Sequence, residues 1–193
     1  MRVRRRTVGL FVALLSVSLA LYAAGPLSRF ARAVEFLSSL DAPAKGAEKT
    51  EPNDRLVEEN VEVPSERGPI RARLYFRAER PKAPGIVIAH GVHHDGIDER
   101  RLVAFARALA RTGRVVLTPE LAELADYRIT ASGVSVIRDS VAYALERADH
   151  VEGERVGLIG FSFAGGLALV AASDPNVGQR LGFVTSVGGH HDL

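Results

Sequence analysis

The sequence predicts an α/β fold, a mostly parallel sheet with helices on both faces, and three observations support this. Between residues 57 and 187 the apolar pattern switches repeatedly between a period of two and a period of 3.6. Gly85-Ile86-Val87-Ile88-Ala89 is an unbroken apolar run, as expected of a strand covered on both sides. Strands and helices then alternate along the chain, which demands parallel strands joined by right-handed crossovers.

Residues 57–63 and 70–76 alternate apolar and polar positions around Pro64-Ser65-Glu66-Arg67-Gly68-Pro69, which predicts two strands joined by a turn. The run at 85–89 is the third strand, bounded by Pro84 and Gly91. Leu102, Phe105, Ala106 and Leu109 repeat at helical spacing, Gly113 ends that helix, and residues 114–117 form a fourth strand before Pro119. Asp98, Glu99, Arg100 and Arg101 open this first helix and are expected to be a solvated face. Residues 119–133 lack a period and predict a long loop, in which Glu120, Asp126, Tyr127 and Arg128 lie within reach of a substrate on loop polarity alone. A stripe of Val134, Ile137, Val141 and Leu145 marks a second crossover helix with Ser132 as its expected cap. Residues 156–159 form a buried fifth strand, 164–172 a helix of small residues, and 181–187 a sixth strand.

Ahead of this domain, residues 8–24 are 17 positions without a charge that follow Arg2, Arg4, Arg5 and Arg6. At 1.5 Å per residue they span about 25 Å, close to the roughly 30 Å of a hydrocarbon core. The segment reads as a signal anchor or a signal peptide. Pro26, placed just after the best cleavage register at Ala23 and Gly25, favours an uncleaved anchor. The arginine excess before the segment directs the globular part away from the cytoplasm, membrane-anchored or secreted if cleaved. Residues 25–54 read as a juxtamembrane segment and linker, and 55–193 as the globular domain. Of 193 residues, 47% are apolar and none is Cys, which excludes disulfides, thiol nucleophiles and Cys-bound zinc. The formal charge of +2 becomes −2 once the four leading arginines are set aside, so no basic footprint for nucleic acid remains.

Two segments carry chemistry. Gly160-Phe161-Ser162-Phe163-Ala164-Gly165-Gly166 lies between a buried strand and a helix of small residues. A sharp strand-to-helix turn there would hold the Ser162 hydroxyl above the strand end and aim the Phe163 N–H at developing negative charge. His90-Gly91-Val92-His93-His94-Asp95-Gly96 follows the third strand, whose C-terminal end opens on the same edge of the sheet. Its Val92 N–H is positioned to supply a second oxyanion donor, whereas His90 is expected to brace the loop by hydrogen bonding. No phosphate-cradling or dinucleotide-binding glycine pattern is present.

These residues resemble the α/β-hydrolase superfamily, especially its dienelactone-hydrolase-like and prolyl-oligopeptidase-like branches, over residues 57–193. The resemblance implies about six of the family's eight strands, a nucleophile at Ser162, an oxyanion hole from the Phe163 and Val92 amides, and an acyl-enzyme formed from a small carboxylic ester or related acyl substrate. It implies no cofactor. Ala164 departs from the family's second glycine. The family also places an acid and a His on later loops, and residue 193 falls just after the sixth strand, so the domain is expected to be C-terminally incomplete with an exposed, association-prone edge. Asp192 is the candidate acid; His190 and His191 are poorer candidates for the base. Two alternatives stand beside the esterase reading. One is a catalytically inactive, membrane-tethered binding protein of the same fold. The other is a metal-dependent hydrolase using His93-His94-Asp95 and His190-His191-Asp192.

Overall fold

The computed structural model describes Val34 and residues 55–80, 82–147 and 149–189. The chain divides into two units, Met1–Ala44 and Lys45–Leu193, and the fold below is that of the second. The expected membrane segment at 8–24, nearly all of the linker and the tail with His190, His191 and Asp192 lie outside the described residues. Among the described residues no helix is long and apolar enough to cross a membrane.

Six strands form one sheet in the order β1-β2-β4-β3-β5-β6. β1 (Leu56–Val63) and β2 (Ile70–Arg77) make an antiparallel hairpin, and β2 also runs antiparallel to β4 (Val115–Pro119). From β4 the sheet continues in parallel through β3 (Gly85–Ala89), β5 (Val156–Phe161) and β6 (Leu181–Val187). The hairpin and the parallel core agree with the sequence reading; β5 lies between β3 and β6.

The sheet is covered on both faces because its strands are apolar at both parities. Val87, Val115, Leu117, Val156 and Leu158 face α3 (Ser132–Glu146) and α4 (Phe163–Ser173) in one buried cluster. Ile86, Ile88, Val116 and Tyr75 face α1 (Arg100–Arg111) in the other, where Leu102, Ala106 and Ala110 form the helix's buried stripe. Glu99 caps α1 by accepting the Leu102 N–H at 2.9 Å, and Gly113 turns the chain at φ +80° after its last residue.

Three local expectations are corrected. The 119–133 segment is not all loop, since Ala122–Ala125 form a short helix, α2. Ser132 does not cap α3: Ala131 holds that position without a side-chain bond, and the Ser132 hydroxyl turns to the Glu123 carboxylate, as does that of Thr130. Asp98 is more than a solvated acid, because β2 presents Arg71 and Arg73 to it.

β6 is the outer strand among the described residues, with Phe183 47% and Val187 46% exposed, which matches the apolar edge expected from the sequence. α4 mixes Ala164, Gly165, Ala168 and Ala171 on its buried side with Leu169 and Val170 outside. Leu158, fully buried on β5, and Leu169, 49% exposed on α4, therefore test the same chemistry in two environments. Leu158→Ala is expected to cost about 2–5 kcal/mol in urea denaturation, and Leu169→Ala to stay within about 0.5 kcal/mol of the parent.

Candidate active site

Ser162 stands between the last residue of β5 and the first of α4, with φ +51° and ψ −129°. A residue with a side chain rarely adopts this conformation, at a cost of roughly 1–3 kcal/mol. Two backbone bonds hold it. The Ser162 N–H donates to the Val187 carbonyl at the end of β6 at 2.9 Å, and the Gly165 N–H donates to the Ser162 carbonyl at 2.8 Å. The turn also needs small neighbours. A Cβ on Gly160 would collide with the Ala164 carbonyl and lie 2.8 Å from the Gly165 Cα, both backbone and unable to yield. Ala164 itself is fully buried, so its extra methyl group relative to glycine fits within the core. Ser162 is half-buried at the C-terminal edge of the parallel strands, and the Phe163 amide opens α4 beside it.

The loop after β3 closes on this turn from the other side. A Cβ on Gly91 would lie 3.0 Å from the Ser162 Cβ and 3.2 Å from the Phe161 carbonyl, so the absence of a side chain lets the two loops touch. Val92 and Phe163 then pack against the same buried cluster. The predicted residues Ser162, Phe163 and Val92 are thus brought to one place by β3 and β5.

His90 is buried and has both ring nitrogens engaged. Its Nδ1 lies 2.8 Å from the Gly91 carbonyl and its Nε2 2.9 Å from the Leu121 N–H. A carbonyl only accepts and an N–H only donates, so the ring carries its hydrogen on Nδ1 and ties the β3 loop to the β4 loop. The expected bracing role holds. Glu120 sits 3.3 Å from the same Nε2, with its side chain 11% exposed. Its Oε2 accepts from Arg71 at 2.6 Å and from the Ile97 N–H at 3.2 Å. Burial pushes the Glu120 carboxyl up, but His90, the Ile97 N–H and Arg71 outweigh it and hold the group below its ordinary 4.5. The Ile97 and Arg71 contacts dominate, since Leu121 already occupies His90 Nε2. Arg71 continues to Asp98 at 2.9 Å, and Arg73 meets the other Asp98 oxygen. Gly96, at φ +51°, lies against the Glu120 carboxylate with no room for a side chain.

Sequence reasoning left this network out. Loop polarity sets Glu120 within reach of a substrate, yet its side chain turns inward to clamp residues 90–98. The available signal was Arg71 and Arg73 on the same parity of β2 as the buried Tyr75, since charges on a covered sheet face must find partners. Tyr127, 64% exposed, and the exposed Arg128–Asp126 pair do remain on the surface. A cavity of about 510 Å³ opens beyond Glu120, lined by Arg71, Leu121, Glu123 and Val136 among others; Ser162 does not line it. His93 and His94 stack at 4.7 Å on the β3 loop beside Asp95. His150 packs on Phe76 at 4.3 Å and accepts, through its carbonyl, the N–H of Ala83 just before β3, at the opposite end of that strand. Among the described residues, none of these imidazoles is hydrogen-bonded to the Ser162 hydroxyl. Asp192, the candidate acid, lies outside them.

No protein-family model matches the chain, and no curated protein matches its sequence. Solved structures do match. The hyperthermophilic esterase from the archaeon Pyrobaculum calidifontis superposes with a TM-score of 0.60 at 20% identity, covering 83% of this chain and 49% of its own. Dienelactone hydrolase from Anabaena variabilis gives 0.59 at 23% identity, covering 72% of this chain and 66% of its own. The fold is that of the α/β-hydrolases. Esterase Est22 matches similarly, with a TM-score of 0.60 at 18% identity over 84% of this chain and 51% of its own. The chain spans about half the length of the esterase structures it matches, so it holds a partial α/β-hydrolase fold: the hairpin, the parallel core and the elbow.

Two measurements test this hydrolase-fold site. Gly160→Ala is expected to destabilise by about 1–3 kcal/mol, because the new methyl group must displace backbone; urea midpoints would show it. A carboxylate held below its ordinary value stabilises the fold above that value and loses this contribution as pH falls through the folded-state pKa. Glu120→Gln is therefore expected to lower stability by roughly 1–3 kcal/mol at pH 7, with the gap to the parent closing as pH drops below the ordinary 4.5. Parallel denaturation series at pH 7 and pH 4 check it.

Proposed function

We propose that the protein is a serine hydrolase acting on a carboxylic ester or related acyl substrate, with Ser162 as nucleophile. The conformation of Ser162, at positive φ between β5 and α4, is the main support for this reading. Such a turn costs free energy that an ordinary connection would avoid, and its effect is to hold a hydroxyl outside the strand ends. The close approach of Gly91 adds to it by bringing the Val92 loop to the same point.

In this reading Oγ attacks the acyl carbon while a base outside the described residues takes its proton. The carbonyl oxygen becomes an oxyanion that accepts from the Phe163 and Val92 N–H groups. The tetrahedral intermediate collapses, the C–O bond to the alcohol breaks, and the alcohol leaves with the proton. Water then cleaves the acyl-enzyme, releasing the acid and restoring Ser162. Asp192 is the candidate residue to orient the base. The similarity to esterase and dienelactone hydrolase structures favours esters and lactones as the substrate class. The reading includes an N-terminal membrane tether at 8–24 with the domain outside the cytoplasm, supported by the charge-free stretch after the arginines.

The test is covalent labelling of the full chain by a fluorophosphonate, read by intact mass. One adduct per chain is expected, absent in Ser162→Ala, together with hydrolysis of a short p-nitrophenyl ester that the same substitution reduces to background. A folded parent that takes no label would overturn the enzyme and leave the hydrolase-fold binding protein as the better account.

A further inference from the structure

We propose that His93, His94 and Asp95 form a binding site for a divalent first-row transition ion of the zinc type. The three residues are consecutive on the loop after β3, and one donor atom from each lies within 4.8 Å of the others. His94 Nε2 is 3.1 Å from one Asp95 oxygen and His93 Nδ1 is 3.7 Å from the other. Donors bound to zinc at about 2.0–2.1 Å in a tetrahedron sit about 3.3 Å apart, so these two spacings straddle what an ion needs. The two rings stack at 4.7 Å and 22°, so one of them must swing off the other for both to hold a single ion in their ring planes.

Two further observations point to a cation. Asp95 occupies the N-cap position of the turn Gly96–Asp98, where an Asp side chain ordinarily accepts a backbone N–H, yet it makes no such bond. Its carboxylate faces the two imidazoles instead. The Asp95 N–H donates to His93 Nδ1 at 3.2 Å, so that nitrogen carries no hydrogen and can serve as a ligand once this long bond opens.

The surroundings suit an exchangeable ion. The side chains of His93, His94 and Asp95 are 33%, 66% and 46% exposed, which leaves an entry path and a fourth position for solvent. The loop itself is firm, because Glu120, Arg71 and Asp98 clamp it on one side and Gly91 packs on Ser162 on the other. The site does not depend on Ser162 being a nucleophile.

Isothermal titration of the chelator-treated full chain with zinc chloride tests it. One ion per chain is expected, with at least about tenfold weaker binding in His94→Ala and in Asp95→Ala. Far-UV circular dichroism confirms that both variants keep the fold. Cobalt(II) titration is expected to give intense visible bands that His94→Ala removes. No saturable binding, or equal binding in parent and both variants, would overturn the site. So would loss of binding in a His190→Ala/His191→Ala double variant that retains His93, His94 and Asp95. Fluorophosphonate labelling in the same preparations reports on Ser162 separately, so failure of either proposal is visible without the other.

Discussion

One constrained turn organises the molecule: the backbone of Ser162 is bent into a region that side-chain-bearing residues avoid. Neighbouring structure determines that bend. The end of β6 takes the Ser162 N–H, α4 begins by bonding back to the Ser162 carbonyl, and Gly160 leaves the space the turn folds into. The small residues of α4 follow from the same requirement. With Gly165 against the end of β6 and Ala164 wholly buried, the helix can start directly over the strand ends. A bulkier helix would stand off the sheet and relax the turn.

The second loop reaches the turn by different means. Residues 90–98 bury Ile97 in one core cluster and rest Val92 on the other, and charge and backbone hydrogen bonds supply the remaining anchors. His90 ties the loop to Leu121, Glu120 collects the Ile97 N–H, and Arg71 and Arg73 hold Asp98. This gives the β1–β2 hairpin a purpose beyond covering a sheet edge, since β2 supplies the arginines. It also makes the position of Val92 sensitive to groups that touch neither Ser162 nor any substrate. A buried carboxylate such as Glu120 is tolerable because Arg71 and the Ile97 N–H both donate to its Oε2.

The strained Ser162 turn and the loop that Gly91 packs against it both belong to described strands, whereas the base that the proposed reaction calls for is not among the described imidazoles. The described imidazoles are otherwise occupied: one braces loops, two share a loop with Asp95, and one stacks near the start of β3. The hydrolase fold accommodates this division because function is set by loops at one sheet edge rather than by a contiguous stretch of chain. The chain spans about half the length of its esterase neighbours.

Periodicity in the sequence was enough to determine all six strands, the three longer helices and the covering of the sheet on both faces, because burial imposes its period locally. Gly160, Ser162 and the small residues after it were legible for the same reason: a strand-to-helix turn is a short-range steric problem. Strand order and contacts between remote segments were decided only in three dimensions. Nothing local announces that Arg71 meets Glu120 forty-nine residues away, that Ser132 bonds Glu123 instead of capping its helix, or that the Asp95 carboxylate turns from its own turn to two imidazoles. Those choices are electrostatic, and a charge takes its partner from whatever the packed sheet brings within reach.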